Sequence, residues 1–294
     1  MNDARSLERA ARHPVLLTEK IFYKIVHDRN PLLGTFADKV AVRDYVAERI
    51  GEHYLTRAYT VSATPDIDWD ALPATYVAKA AHGSGGAVVV SPYAPPDARL
   101  PTDLDVARWG TFTVRRENVQ PDRMRALFAD WLSLDFSVTH STTYPEWCYT
   151  LCERRILIEE FLDAGTVSPP DYKFFMAHGE CLFIQYDSDR IMGHRRVILT
   201  PDWTWLPVRL GYDLTAPAPP RPPQLAEMLR VAAQLSAETD FVRVDLYALD
   251  DRVVFGELTN YPNAGRLRFQ PRSFDRRMGR RWQGPRYPSE KLLG

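Results

Sequence analysis

Two acidic residues in one apolar hairpin constrain this chain more than any other feature. The stretch Phe241–Gly265 reads FVRVDLYALDDRVVFGELTNYPNAG. Phe241–Ala248 alternates and is rich in β-formers, residues 249–252 have turn composition, and Val253–Leu258 alternates again, which predicts two antiparallel strands. In such a hairpin Asp245 and Glu257 fall on neighbouring strands and on the same face. Carboxylates among Val, Leu and Phe are costly unless they face water or a positive group sits between them. The simplest such cation is Mg²⁺, which takes hard oxygen ligands and keeps phosphate oxygens in its shell. The polar loop that follows, with Asn260, Pro262, Asn263 and Gly265, is where a substrate would meet the metal.

A second stretch points to phosphate. In Thr75–Ser91, two short strands (Tyr76–Ala80 and Ala87–Ser91) flank Ala81-His82-Gly83-Ser84-Gly85-Gly86. Glycines let a backbone approach a ligand and aim N–H groups at it, and Lys79 adds a compact positive charge at the strand end. No GK[ST] ends the loop and no helix follows, so it is neither a Walker A loop nor a dinucleotide fingerprint. A strand–Gly loop–strand unit suits a flap over phosphates, and it equally suits a plain glycine-rich hairpin turn. Earlier, a helix over Phe36–Ile50 has Lys39 in its first turn and Arg43 one turn on, either as an ordinary amphipathic helix or as an anion contact. Ile156–Leu162 reads as an apolar strand turning polar at Glu159-Glu160, which would either bond an adenine amino group and ribose hydroxyls or sit as rim charges. Asp171–Gln185 is a hairpin turning at residues 178–180, with Lys173 in its first strand.

The remaining segments frame these motifs. Helices are expected over 17–25, after Pro121 and over 225–235. Further strand is expected over Val197–Val208, polar connector over 60–73, and a proline linker over Ala216–Pro223. Beyond Arg268 the chain is basic, as a solvated arm or as a contact for an acidic substrate. The 294 residues carry a formal charge of −1, which exerts no general pull toward nucleic acid or an anionic membrane. No apolar run reaches the ~20 residues of a membrane span, and the N-terminus lacks the apolar core of a secretory signal. Cys148, Cys152 and Cys181 form no paired CxxC motif and read as reduced, buried thiols in a cytoplasmic protein.

Taken in order, Asp38-Lys39 with Arg43 and Tyr45, Lys79 with His82-Gly83, Glu146-Trp147 and Tyr149, Glu159-Glu160, Asp171-Tyr172-Lys173, Arg190, Arg243-Val244-Asp245 and Phe255–Thr259 resemble the ATP-grasp superfamily. The wording is closest to its TupA-like branch, linked to teichuronopeptide and cell-surface polymer synthesis. The resemblance runs from about residue 20 to 280. It implies an α+β ATP-grasp fold in which two α+β subdomains grip ATP, with a short helical N-terminal segment in place of a full preceding domain. The expected division is an N-terminal segment 1–60, a flap subdomain 61–155, a larger subdomain 156–275 with the Mg²⁺ site, and a basic tail 276–294.

The resemblance also assigns roles. Lys79 and Lys173 would contact the phosphates, with Lys39 and the loop His82, Gly83, Ser84, Gly85 and Gly86 around the nucleotide. Glu159, Glu160 and the backbone through Leu162 would read adenine and ribose. Arg190 would touch a phosphate or acyl phosphate, and Asp245 and Glu257 would hold Mg²⁺. The family's usual E-x-N ending is replaced by Glu257-Leu258-Thr259, and Thr259 is a poorer ligand, so either Asn260 is the third ligand or the second Mg²⁺ is held loosely. The implied activity is an ATP-dependent carboxylate–amine ligase acting through an acyl phosphate on small-molecule acid and amine substrates. Alternatives are a kinase of the same fold, a glycosyltransferase using Asp187-Ser188-Asp189, or a binding protein with a dead nucleotide site. Oligomeric state is not legible.

Overall fold

The computed structural model describes residues 9–188, 193–213, 218–250 and 252–284. Arg190, Asp189, part of the proline-rich segment 216–223 and the chain beyond residue 284 lie outside the described residues. In chain order the elements are α1 (Leu17–His27), α2 (Leu32–Ala37), α3 (Ala41–Ile50), β1 (Ala58–Ser62), β2 (Tyr76–Ala80), β3 (Ala87–Val90), α4 (Leu104–Ala107), β4 (Thr111–Val114) and α5 (Pro121–Ser133). They continue with β5 (Ile156–Glu159), β6 (Asp171–Ala177), β7 (Glu180–Ser188), β8 (Arg195–Leu199), β9 (Trp205–Leu206), β10 (Arg209–Leu210), α6 (Leu225–Leu235), β11 (Phe241–Ala248), β12 (Val253–Thr259), β13 (Phe269–Gln270) and α7 (Arg272–Arg281). The described residues fall into two compact units that interleave in sequence. One comprises 34–137 and 148–169, and the other takes in the described residues within 9–33, 138–147 and 170–284. Boundaries at 60/61 and 155/156 therefore do not coincide with the units.

The first, glycine-loop unit is built on a five-stranded sheet ordered β1-β5-β2-β3-β4, antiparallel except for the β3–β4 pair. Strand alternation sends Tyr76, Ala78 and Ala80 of β2, with Ile156 and Ile158 of β5, into a core shared with Met124, Leu127, Phe128 and Trp131 of α5. The other face is left to Val77, Lys79, Leu157 and Glu159, which pair across β2 and β5. The helix expected over Phe36–Ile50 is two helices. Asp38 Oδ1 accepts the N–H groups of Val40 (2.8 Å) and Ala41 (3.1 Å), so its side chain competes with the helical bonds and starts a new helix there. Strands β1 and β4, unforeseen within connector and irregular sequence, are the two edges of this sheet.

The second, carboxylate unit is built on a six-stranded antiparallel sheet ordered β12-β11-β6-β7-β8-β9. Phe174, Ile184, Val242, Val244 and Leu246 are buried on alternate positions, and the apolar side of α6 (Leu225, Met228, Val231, Leu235) is buried as well. The other alternation changes character along the strands. At one end Phe175, Phe183 and Phe241 stack with Phe274 and Trp282, contributed by α7 and the residue after it. At the other end stand charged residues. The expected strand over Val197–Val208 is interrupted by a turn at Thr200–Thr204, where Trp203 takes φ 73° and Thr200 Oγ1 accepts the Thr204 N–H at 2.9 Å. Residues 272–281, expected within a basic arm, form α7, with Phe274, Asp275 and Met278 buried and its arginines outward. Among the described residues no helix is long and apolar enough to cross a membrane.

Candidate functional site

In the carboxylate unit, strand register produces a row of charge. Asp245 on β11 pairs with Glu257 on one side and Lys173 on the other, and Lys173 pairs with Gln185. Directly opposed residues share a face, so Glu257, Asp245, Lys173 and Gln185 form one line across four strands. Arg243 and Asp171, two residues from Asp245 and Lys173, point the same way. Asp245 is 1% exposed and every oxygen is engaged. Lys173 Nζ lies 2.6 Å from Oδ2, while Arg243 donates from Nε to Oδ1 (2.6 Å) and from Nη2 to Oδ2 (2.7 Å). The same Nη2 reaches Glu257 Oε1 at 2.6 Å, which also accepts the Thr259 hydroxyl at 2.9 Å. Lys173 Nζ is 3.7 Å from Asp171 Oδ2. Burial, with the Glu257 charge beside it, pushes the Asp245 carboxyl up against the opposing pull of Arg243 and Lys173.

The positive group that the sequence demanded between the two carboxylates is therefore present in the chain itself: the Arg243 guanidinium. A β-bulge lies at the same place. Asp245 pairs with Glu257 but Leu246 pairs with Phe255, so Gly256 is the extra residue, and a Cβ there would stand 3.0 Å from the Asp245 carbonyl oxygen. For Mg²⁺ the donor chemistry fits: two carboxylates on adjacent strands, with the Glu257 side chain 42% exposed. Asn260 adds an observation of its own. Its Nδ2 donates to Leu33 O at 2.8 Å, while its buried Oδ1 has no hydrogen-bond partner among the described residues.

A second buried ion group lies further along the same sheet. Asp187 is 1% exposed and accepts from Arg196 Nε (2.6 Å), Arg196 Nη2 (3.0 Å) and Gln185 Nε2 (2.7 Å). Burial alone would raise this carboxyl, but the Arg196 fork dominates and holds it at about 2. Asp187 is thus satisfied by the protein.

In the glycine-loop unit, Lys79 contacts Glu159 Oε1, while Glu159 Oε2 accepts the Thr56 hydroxyl at 2.5 Å and lies 3.3 Å from Arg43 Nη1. Burial would raise Glu159, and Lys79, Thr56 and Arg43 together hold it below the usual carboxylate value. Arg43 is thereby tied to the site from α3, one turn after Lys39. Lys39 Nζ donates to the carbonyl oxygens of Ala80 (3.0 Å) and Gly83, so it braces the loop. His82 is 3% exposed and donates from Nε2 to Trp131 O at 2.9 Å, and burial lowers its pKa, so it is a neutral anchor of the loop. Ser84 is exposed. Glu160 Oε2 accepts the Arg57 N–H at 3.0 Å, and Leu162 is buried.

The glycines have a packing cause. A Cβ on Gly83 would stand 2.5 Å from the Trp109 ring and 2.9 Å from Phe136, and one on Gly85 would stand 2.1 Å from the Trp109 carbonyl oxygen. On Gly86 it would meet Trp109 at 3.2 Å. Gly85 and Gly86 also take positive φ, 81° and 60°. Trp109 therefore covers the loop, and no hydrophobic periodicity around it in the sequence signals that role. Arg243 was within reach: two residues before Asp245 on a strand is the same face.

A family model described as TupA-like ATPgrasp matches residues 116–283, more than half of the chain. No curated protein matches the sequence. Among solved structures, the ATP-grasp ligase PsnB complexed with minimal precursor is similar at 9% identity and TM-score 0.41, over 79% of this chain and 54% of that one. D-alanine–D-alanine ligase from Bacillus anthracis complexed with ATP is similar at 12% identity and TM-score 0.42, over 78% and 57%. N5-carboxyaminoimidazole ribonucleotide synthetase from Thermus thermophilus is similar at 10% identity and TM-score 0.42, over 88% and 58%. The chain thus spans between half and three fifths of the length of these three structures.

Proposed function

From its membership of the TupA-like ATP-grasp family, to which this chain belongs, we propose that it is an ATP-dependent carboxylate–amine ligase. It would act in the cytoplasm, where ATP is supplied, on an amino acid or sugar acid, in surface-polymer or natural-product assembly. The observation that carries this reading is the charged row Glu257–Asp245–Lys173 on one sheet face, because phosphoryl transfer is chiefly a problem of placing charge.

A carboxylate is a poor electrophile. Transfer of the γ-phosphoryl group of ATP to a substrate carboxylate oxygen gives an acyl phosphate and ADP. An amine nitrogen then attacks the acyl carbon, the C–O bond to phosphate breaks, and the amine proton passes to solvent. Lys173 and Lys79 are assigned to phosphate oxygens. Arg190 is proposed as a further contact to phosphate or acyl phosphate. The loop Gly83–Gly86, braced by Lys39, would exclude water that hydrolyses the intermediate. Glu159, whose carboxylate is held by Lys79, Thr56 and Arg43, would read adenine and ribose with Glu160 and the backbone through Leu162. Mg²⁺ on Asp245, Glu257 and Asn260 would neutralise phosphate charge.

Asp245→Asn tests the assignment. It keeps the shape of the side chain, removes the charge and leaves Lys173 and Arg243 without their buried partner, so ADP release by the folded variant should fall by about a hundredfold or more, and thermal stability should fall as well. Near-normal turnover would mean that Asp245 holds no catalytic metal.

A further inference from the structure

Resting on the metal assignment above, we infer that Arg243 is a resident counter-ion of the carboxylate pair and competes with the divalent metal for it, so that metal enters only together with nucleotide. The guanidinium nitrogens lie 2.6–2.7 Å from Asp245 Oδ1, Asp245 Oδ2 and Glu257 Oε1. Mg²⁺ needs carboxylate oxygens at ~2.0–2.1 Å, where its charge would repel a guanidinium held 2.6–2.7 Å from the same oxygens. Glu257 is the contact that can be given up. Its side chain is 42% exposed, whereas Asp245 is buried and keeps Lys173 as a second partner.

Charge explains the coupling. Among the described residues, the acids on this face are Asp171, Asp187, Asp245 and Glu257 and the bases are Lys173, Arg196 and Arg243, which leaves the group at −1. A lone divalent ion would turn it to +1 while displacing an arginine arm. A metal arriving with a triphosphate brings its own compensating charge. Metal and nucleotide should therefore raise each other's affinity by the same factor.

The test measures Mn²⁺ binding by the loss of the free-ion electron paramagnetic resonance signal, with and without a non-hydrolysable ATP analogue, for the wild type and Arg243→Gln. Without nucleotide, Arg243→Gln should bind Mn²⁺ at least about tenfold more tightly than the wild type, the size of one charged hydrogen bond. With the analogue, the wild type should gain more than the variant. Equal or weaker Mn²⁺ binding by folded Arg243→Gln overturns the inference and leaves the metal site standing. Absence of Mn²⁺ binding in both proteins, while the analogue itself binds, overturns the metal assignment and the inference with it. Arg243→Lys keeps a charge for Asp245 but lacks the second arm that reaches Glu257. It should fall between the other two, and it provides the same test if the glutamine variant does not fold.

Discussion

Replacing Gly83 by alanine separates two reasons for a glycine in the loop. Gly83 has no positive φ, so alanine adds no backbone strain, and the cost comes only from what the methyl group meets. It would meet Trp109 Cζ3 at 2.5 Å, Phe136 Cδ2 at 2.9 Å and Trp109 Cη2 at 2.9 Å, where ordinary contacts begin near 3.4 Å. The two rings also pack edge to face, with centroids 5.0 Å apart, so neither moves alone. Overpacking of this kind costs about 1–3 kcal/mol. Urea denaturation of the wild type, Gly83→Ala, Trp109→Ala and the double variant forms a cycle. Removing the indole should relieve the clash, so the double variant should be more stable than the sum of the single losses predicts by about 1 kcal/mol or more. If Gly83→Ala is within about 0.5 kcal/mol of the wild type, or the two losses simply add, Trp109 does not set the glycine. Gly83 would then be left to its ligand, while Gly85 and Gly86 keep positive φ as their own cause.

Other consequences concern charge and thiols. Asp187 has a folded pKa depressed from 3.8 to about 2, so it contributes stability that is complete above its unfolded value and lost as pH falls through 4 toward 2. That contribution is about 2 kcal/mol. Arg196→Met should remove it and cost about 3–5 kcal/mol at neutral pH by leaving a buried carboxylate without its cation, and a pH series of denaturation midpoints reads both. A variant that keeps the acid-side slope would contradict the pairing. Burial pushes the thiols of Cys152 and Cys181 up to about 12, so a chromogenic disulfide reagent at neutral pH should label them slowly in the native protein and rapidly in denaturant. Fast native labelling of both would contradict that shift.

Central elements were legible in sequence because their signals are local. The alternation of Phe241–Ala248 and Val253–Thr259 fixes which residues share a face, and that places Asp245 beside Glu257 without any knowledge of the rest. The amphipathic pattern of Leu225–Leu235 marks α6 in the same way. What was hidden depends on partners distant in sequence. The five-residue β1 has no residue in the fully buried class, because it is a sheet edge, and so it carries no pattern. Lys79 sits against Glu159, eighty residues on, and that contact follows only from the register of β2 and β5. Trp109 over the glycines and Arg196 on Asp187 arise in the same way, from tertiary packing. The Phe36–Ile50 region shows a different limit: its apolar spacing continues through Asp38, but the carboxylate binds the backbone and splits the helix.

The measurement that tests the account most directly is ADP and phosphate release from ATP with a panel of acids, each with and without a panel of amines, for the wild type and Glu257→Gln. A carboxylate–amine ligase releases them only with both an acid and an amine, forms an amide product, and loses this activity in Glu257→Gln. ADP formed without any amine, accompanied by a stable phosphorylated product, would contradict it and make the protein a kinase.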